Sequence, residues 1–460
     1  MTTKDEIFNL KVLQEIFFQS GKTLDVRYRI EALRKLYSAV VKYQDELREA
    51  LHADLGKSSF EADMCEIRLT LSEISFMLKH VRKYSRTRKV RTNLANFAGP
   101  SMSVPSPYGN VLIMSPWNYP VLLTLEPLAD ALSAGNTAII KTSAYSPRTS
   151  EVISRMIRET FHEEYVAVVT GGREENSSLL DENFDYIFFT GSKSVGKLVM
   201  RAAAKHLTPV TLELGGKSPV IVAEDANIKL AARRIVFGKF LNCGQTCVAP
   251  DYVLVDSKVH DRLLEELEKQ TAKQFGSNPL SNANYGKIIN EKHFERLLSL
   301  IDKDKVVLGG RSNSSALRIE PTILDNVTTR DRIMKEEIFG PLLPILTFDY
   351  LEEAVRIVKS MDHPLAFYVF SDSRSTQRQL VEKIGFGGGC INDTIVHLAT
   401  SNMGFGGFRE SGMGQYHGKA GFEIFTHYKS IYRKANWLDL PMRYQPYNEL
   451  MHKLINFILR

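Results

Sequence analysis

Hydrophobic positions change their period along this chain. From residue 4 to about 83 they recur at helical spacing among charges, as in Leu24, Ile30, Leu33, Leu36 and Tyr37 and again in Leu69, Leu71, Ile74 and Leu78, and they predict helices. Phe97 to Tyr108 is rich in Pro, Ser and Gly. It predicts an extended arm or an edge strand, because prolines withhold the donors a central strand needs. From Gly109 short apolar runs alternate with helical stretches. Strands are predicted at Val111–Met114, Ala138–Ile140, Val166–Val169 and Tyr186–Phe189, with helices over Pro120–Ala134, Arg148–Phe161 and Ser194–His206. That rhythm predicts a parallel α/β sheet, which binds ligands at the carboxyl ends of its strands. A second α/β block follows from Glu213, with strands at Val220–Val222, Tyr252–Val255, Leu343–Leu346 and Phe367–Phe370 and helices at Asp261–Gln274 and Leu351–Ser360. The chain turns glycine-rich from Gly404 and strand-like over Phe425–Tyr432. Leu454–Leu459 is apolar but short, and predicts the docked last turns of an amphipathic helix.

Composition narrows the class. A chain of 460 residues allows two to four domains and a large core, and 43% hydrophobic with 24% charged residues is ordinary for a soluble globular enzyme. The net charge of +6 is small and spread out. Its densest basic run, Arg82–Arg91, has no recognition module beside it and reads as a solvated helix end, so no nucleic-acid partner is expected. Four cysteines make no disulfide framework and fit a reducing, cytoplasmic compartment. The start, Met1–Glu6, has no secretory layout, and no apolar run approaches the ~20 residues of a membrane span. The histidines have no metal-ligand spacing; His417 and His427 read as surface or interface residues.

The chemistry concentrates in two places. Cys243-Gly244-Gln245-Thr246-Cys247 offers two thiols four residues apart, which would share a face on a helix. A thiol beside a helix N-terminus or oriented amides can act as a nucleophile, and the same donors can hold an oxyanion. A cysteine can equally be a small buried hydrophobe, and spacing does not choose between the two thiols. Glu213, after Val210-Thr211-Leu212 and before Leu214-Gly215-Gly216, faces a strand-end crevice where a general base would sit, or else serves as an ion-pair partner or cap. Asn118, in Pro116-Trp117-Asn118-Tyr119-Pro120, is a turn residue or an amide donor. Thr190–Leu198 follows a strand and opens a helix, so its amides suit a phosphate. The spacing Gly191 to Gly196-Lys197 is nearly a P-loop, but Leu198 stands where a magnesium-binding hydroxyl belongs. Lys141 ends a strand and is a surface lysine or a group that reaches a ribose or phosphate, and Glu336–Pro341, an acid and an aromatic ring before a turn, is a capped helix end or a holder of a sugar and a flat ring.

Together these motifs resemble the aldehyde dehydrogenases, and within them the short class 3 type. The resemblance runs in order over nearly the whole chain: Pro116–Pro120, Phe189–Ser192, Leu212–Pro219, Gly244–Cys247, Glu336–Pro341, Asn392-Asp393-Thr394 and Ser411–Gly414, with Val248–Tyr252 and Tyr416–Lys419 similar to class 3. It implies oxidation of an aldehyde to the carboxylic acid with a nicotinamide cofactor. By it, Cys247 is the nucleophile, Asn118 and the Cys247 amide hold the oxyanion, and Glu213 activates the water that hydrolyses the thioester. Lys141 holds the adenosine ribose, Gly191, Ser192 and Gly196 support the pyrophosphate, Glu337 holds the nicotinamide ribose and Phe339 packs by the ring.

The fold implied is α/β. A Rossmann-like NAD(P)-binding domain comes from 1–89 and 105–210, an α/β catalytic domain from 211–400, a β-strand oligomerisation arm from 90–104 and 424–436, and a tail from 437–460 whose Arg443–Tyr447 covers the tunnel mouth. A homodimer is expected. Two departures stand out. Lys141-Thr142-Ser143-Ala144 lacks the glutamate that usually repels a 2′-phosphate, so NADP is expected to be accepted beside NAD. Phe408-Arg409-Glu410 is bulky where small residues are usual. The rival readings are a dehydrogenase that passes the acyl group to coenzyme A and a non-enzymatic descendant of the fold.

Overall fold

The computed structural model describes residues 2–439 and 443–458. The remaining positions of the expected tail, 440–442 and 459–460, and Met1 lie outside the described residues. Helices Lys4–Gln19, Val26–Leu55 and Arg68–Tyr84 open the chain. The long helix starts where Asp25 accepts from the Arg27 amide and stops at left-handed Gly56. Its stripe of Ile30, Leu33, Leu36, Val40, Leu47 and Leu51 is buried. Leu24 is not part of that stripe; it lies in the turn Lys22–Leu24 and is exposed.

The first sheet has six strands in the order Gly412–Met413, Val210–Glu213, Tyr186–Thr190, Asn110–Met114, Thr137–Lys141, Val166–Val169. All pairings are parallel except the one made by Gly412–Met413. Asn110–Met114 lies between the next strand in sequence and Tyr186–Thr190, so the winding reverses there and leaves a crevice at the carboxyl ends of these two strands. Segment 115–120 and the loop Gly191-Ser192 both leave from that crevice. Val210–Glu213 belongs to this sheet, three residues past the expected boundary at 210.

The second sheet has seven strands, in the order Val306–Leu308, Thr322–Leu324, Leu342–Phe348, Tyr252–Asp256, Pro219–Val222, Ala366–Phe370, Gly388–Ile391. Most of its strand residues are buried on both faces, which is why these strands read as continuous apolar runs. Helix Ile228–Phe240, which carries the chain to the cysteines, was not anticipated; Arg233-Arg234 and Lys239 interrupt its apolar pattern.

The arm is a three-stranded sheet of Arg88–Val90, Ser101–Pro107 and Thr426–Tyr432. Ser101–Pro107 is its central strand, which corrects the edge-strand expectation. The proline argument survives locally, because Arg88–Val90 pairs only with Ser101–Ser103 and leaves Pro105 and Pro107 with a partner on one side. Helix Glu449–Ile458 presents Leu450, Leu454 and Phe457 to solvent instead of docking them. Among the described residues no helix is long and apolar enough to cross a membrane.

Candidate active site

Cys247 lies in a turn closed by the Ala249 amide on the Thr246 carbonyl. Helix Ile228–Phe240 has already ended, and Asn242, Cys243 and Gly244 take left-handed conformations with φ of 50°, 52° and 73°. The segment is therefore no helix on which the two thiols could share a face, and of the two donors considered for the nucleophile the backbone amides of Cys247 and Val248 are the ones beside it. Gly244 is required, since a Cβ there would lie 2.2 Å from the Gly340 carbonyl oxygen. The left-handed run turns Cys243 into the core beside Tyr285 and Gly286, while Cys247 reaches an apolar cavity of about 180 Å³. Leu69, Leu122, Phe237, Ile395 and Phe405 help to line it.

Burial, then the charges of Glu337 and Glu213, push the Cys247 thiol up to about 12, while the Cys247 and Val248 amides act in the opposite direction. Glu213 ends its strand 3% exposed, and among the described residues neither carboxylate oxygen has a hydrogen-bond partner. It is neither an ion pair nor a cap. Burial alone raises its pKa well above the usual carboxylate range.

Asn118 is also buried, and its side-chain amide donates to the Gln245 carbonyl at 3.0 Å, facing the cysteine loop. Its own carbonyl accepts from Lys57 Nζ at 2.8 Å and from Asn242 Nδ2 at 2.9 Å. Next to it, the Tyr119 hydroxyl and Thr246 Oγ1 share a hydrogen bond of 2.6 Å. The fold thus joins segment 115–120 of the first sheet to the loop before Cys247. Sequence reading missed Lys57, Glu66 and Asn242, which do this joining. A lysine after a helix-ending glycine and a glutamate nine residues on carry no local signal of burial.

The cofactor candidates are more scattered. Lys141 is buried at its strand end, with Nζ donating to the Thr142 and Gly171 carbonyls at 2.6 and 2.8 Å, and burial lowers its pKa to about 8. Thr142, Ser143, Ala144 and Gly171 line an open groove of about 720 Å³ above it. Ser192 caps helix Lys193–Ala204, and Gly196 packs on Leu214, where a Cβ would come within 2.7 Å. Leu198 is exposed on helix Lys193–Ala204. The Glu337 carboxylate lies across Gly215, where a Cβ would meet it at 2.0 Å, and burial raises it to about 8. Its loop is anchored by Lys217, which bonds Asp251 at 2.5 Å and the Ile333 and Glu336 carbonyls. Phe339, at φ 50°, meets Trp117 edge-on at 5.4 Å.

His417 corrects its surface assignment. It is buried on the cavity wall against Phe405, with Nε2 3.3 Å from Glu126, and burial lowers its pKa to about 3. Arg409 and residues 443–447 are exposed and do not line the cavity of their own chain.

The aldehyde dehydrogenase family profile matches residues 15–431. The 4,4'-diaponeurosporen-aldehyde dehydrogenase of Staphylococcus aureus is 47% identical over 433 residues, covering 94% of each chain. Mouse aldehyde dehydrogenase family 3 member B3 is 39% identical, covering 96% of this chain and 93% of its own. The substrate-bound structure of S. aureus AldH superposes with a TM-score of 0.97 at 45% identity over 100% of both chains. The chain therefore belongs to the aldehyde dehydrogenase family, in its class 3 branch, and is an oxidoreductase that converts aldehydes to carboxylic acids.

Proposed function

We propose that this enzyme works through a covalent thioester on Cys247. The observation that carries the reading is a thiol at the wall of an apolar cavity with an unpartnered buried carboxyl, Glu213, near enough to raise it. The aldehyde enters chain-first along the apolar wall and presents its carbonyl carbon to Sγ. Attack forms a C–S bond and places negative charge on the carbonyl oxygen. The Asn118 side-chain amide and the Cys247 backbone N–H donate to that oxygen, an arrangement worth about 10²–10³ in rate per donor. The thiol gives its proton to solvent water before it attacks, and the Cys247 and Val248 amides stabilise the thiolate that remains. The nicotinamide cofactor, when bound, supplies the hydride acceptor that oxidises the adduct to the thioester. Ionised Glu213 takes a proton from water, which attacks the thioester and releases the acid. A carboxylate placed for water disfavours coenzyme A as the acyl acceptor.

The residues present fit a dinucleotide. The groove at Thr142–Ala144 and Gly171 would receive the adenosine end, Lys141 would hold its ribose, and Gly191, Ser192 and Gly196 would support the pyrophosphate. Glu337 would hold the second ribose and Phe339 would pack by the nicotinamide ring. Ala144 leaves room and no negative charge for a 2′-phosphate, so NAD and NADP both serve. Ala144→Glu is expected to cut kcat/KM with NADP at least tenfold and to spare NAD. The free edge of Thr426–Tyr432 supports a homodimer, and light scattering is expected to give twice the mass of the 52.0 kDa chain.

The deciding experiment follows reduced cofactor at 340 nm over medium-chain and aromatic aldehydes. Cys247→Ala should abolish turnover and Cys243→Ala should retain it. Turnover surviving in Cys247→Ala would sink the mechanism.

A further inference from the structure

We infer that Lys57, paired with Glu66 beneath segment 118–122, is a positioning residue that sets the Asn118 amide in its place against the loop before Cys247. The inference rests on the oxyanion role proposed for Asn118.

Lys57 follows Gly56, which ends the long helix Val26–Leu55, and is fully buried. Its ammonium has three donors and three targets. Nζ lies 2.6 Å from Glu66 Oε1, 2.8 Å from the Asn118 carbonyl oxygen and 4.0 Å from the centre of the Tyr119 ring. Glu66, also fully buried, sits in the π turn Asp63–Ile67. Its second oxygen accepts from the Val121 amide at 2.8 Å and the Leu122 amide at 3.3 Å. The pair thus grips the chain on both sides of Tyr119. It takes the carbonyl of Asn118 and the first free amides of helix Leu122–Ala134. Asn242 closes the frame, with Nδ2 on the Asn118 carbonyl and its own amide on Glu61 at 2.8 Å.

A fully buried ion pair is a poor way to gain stability, because desolvating both charges offsets most of their attraction. Its recurring use is to fix one geometry. Here every contact of the Lys57 ammonium falls on Glu66 or on residues 118 and 119, and of these only Tyr119 lines the cavity. What the pair controls is the path of the backbone that carries the Asn118 side chain. An oxyanion donor displaced by about 1 Å costs on the order of 10² in rate without weakening substrate binding.

The test is a mutant cycle. Lys57→Met/Glu66→Gln removes both charges and keeps an acceptor for the Val121 amide. Asn242→Gly removes the second grip on the Asn118 carbonyl while tolerating a φ of 50°. Each is measured alone and on an Asn118→Ala background, for kcat, for KM of the aldehyde and for the thermal midpoint. The expected result is a kcat lower by about 10–100-fold in the double variant and by a smaller factor in Asn242→Gly. KM stays within about threefold, and on the Asn118→Ala background neither change costs more than about twofold further. Full multiplicative losses on that background would show that Lys57 acts elsewhere and would overturn this inference alone. A kcat unchanged by the double variant would also overturn it. Asn118→Ala with undiminished kcat would overturn the oxyanion reading and this inference together. Should the double variant not accumulate as folded protein, Asn242→Gly decides by the same criterion.

Discussion

Two buried carboxyls flank the candidate site, and their surroundings are opposite. Glu66 has both oxygens engaged, one by an ammonium and one by two backbone amides. Glu213, at the strand end across the crevice, has neither oxygen engaged. Both are inaccessible to solvent to within a few per cent. A satisfied buried group organises its neighbours, whereas an unsatisfied one keeps its lone pairs available and carries a desolvation cost. The first region holds atoms in place, and the second leaves one group free to take a proton.

Substitutions can break that contrast. The largest effect should come from Glu66→Ala, which leaves Lys57 charged and unpaired in the core. Denaturant unfolding should show a loss of about 3–5 kcal/mol, or no soluble protein at all. Glu213→Gln should do the reverse, folding normally while steady-state turnover falls by about 10²–10³, with the first-turnover burst of reduced cofactor retained. A variant that lost burst and turnover together would assign Glu213 to an earlier step. Next comes the pH profile. A base whose pKa is raised by burial is protonated at low pH, so hydrolysis should climb about tenfold per pH unit until the raised value is passed. The profile of Glu213→Gln should lose that rise.

The smallest effect is on stability and follows from the same group. Folded Glu213 holds its proton more tightly than the unfolded chain does. Its contribution to stability is therefore greatest in acid and falls as pH rises through the unfolded value toward the raised folded one. Glu213→Gln should melt about a degree above the wild type at pH 8, and the gap should close near pH 4. A gap that widened in acid would place a partner on Glu213.

The strand–helix rhythm was legible because buried parallel strands read as apolar runs, whereas the order of the strands within each sheet is set by long-range pairing that no apolar run carries. Ser101–Pro107 was misjudged because a strand can be central along half its length and an edge along the other. The strands that lead to Asn118 and Glu213 were legible, since turns beside glycine and proline mark where a chain leaves a strand, but the helix that leads to Cys247 was not. Their surroundings were not. The left-handed run at 242–244 separates Cys243 from Cys247, and nothing but Gly244 hints at it. The grip of Lys57 on Asn118 spans 61 residues of chain, and that of Asn242 spans 124. A lysine reads as solvated until its partners are known, which is also why His417 was placed on the surface.

The small pairing of Gly412–Met413 with Leu212 and Glu213 has a consequence for biosynthesis. The edge beside Glu213 receives its last partner, and Leu214 its bond to the Ser411 carbonyl, only from the far end of the chain. Translation at about 5–20 residues per second leaves that edge open for some tens of seconds after Glu213 is made. During that interval a nascent chain carries the carboxyl on an unfinished sheet with an unpaired flank. A message truncated before Ser411 should therefore yield an aggregating product, not a weaker enzyme.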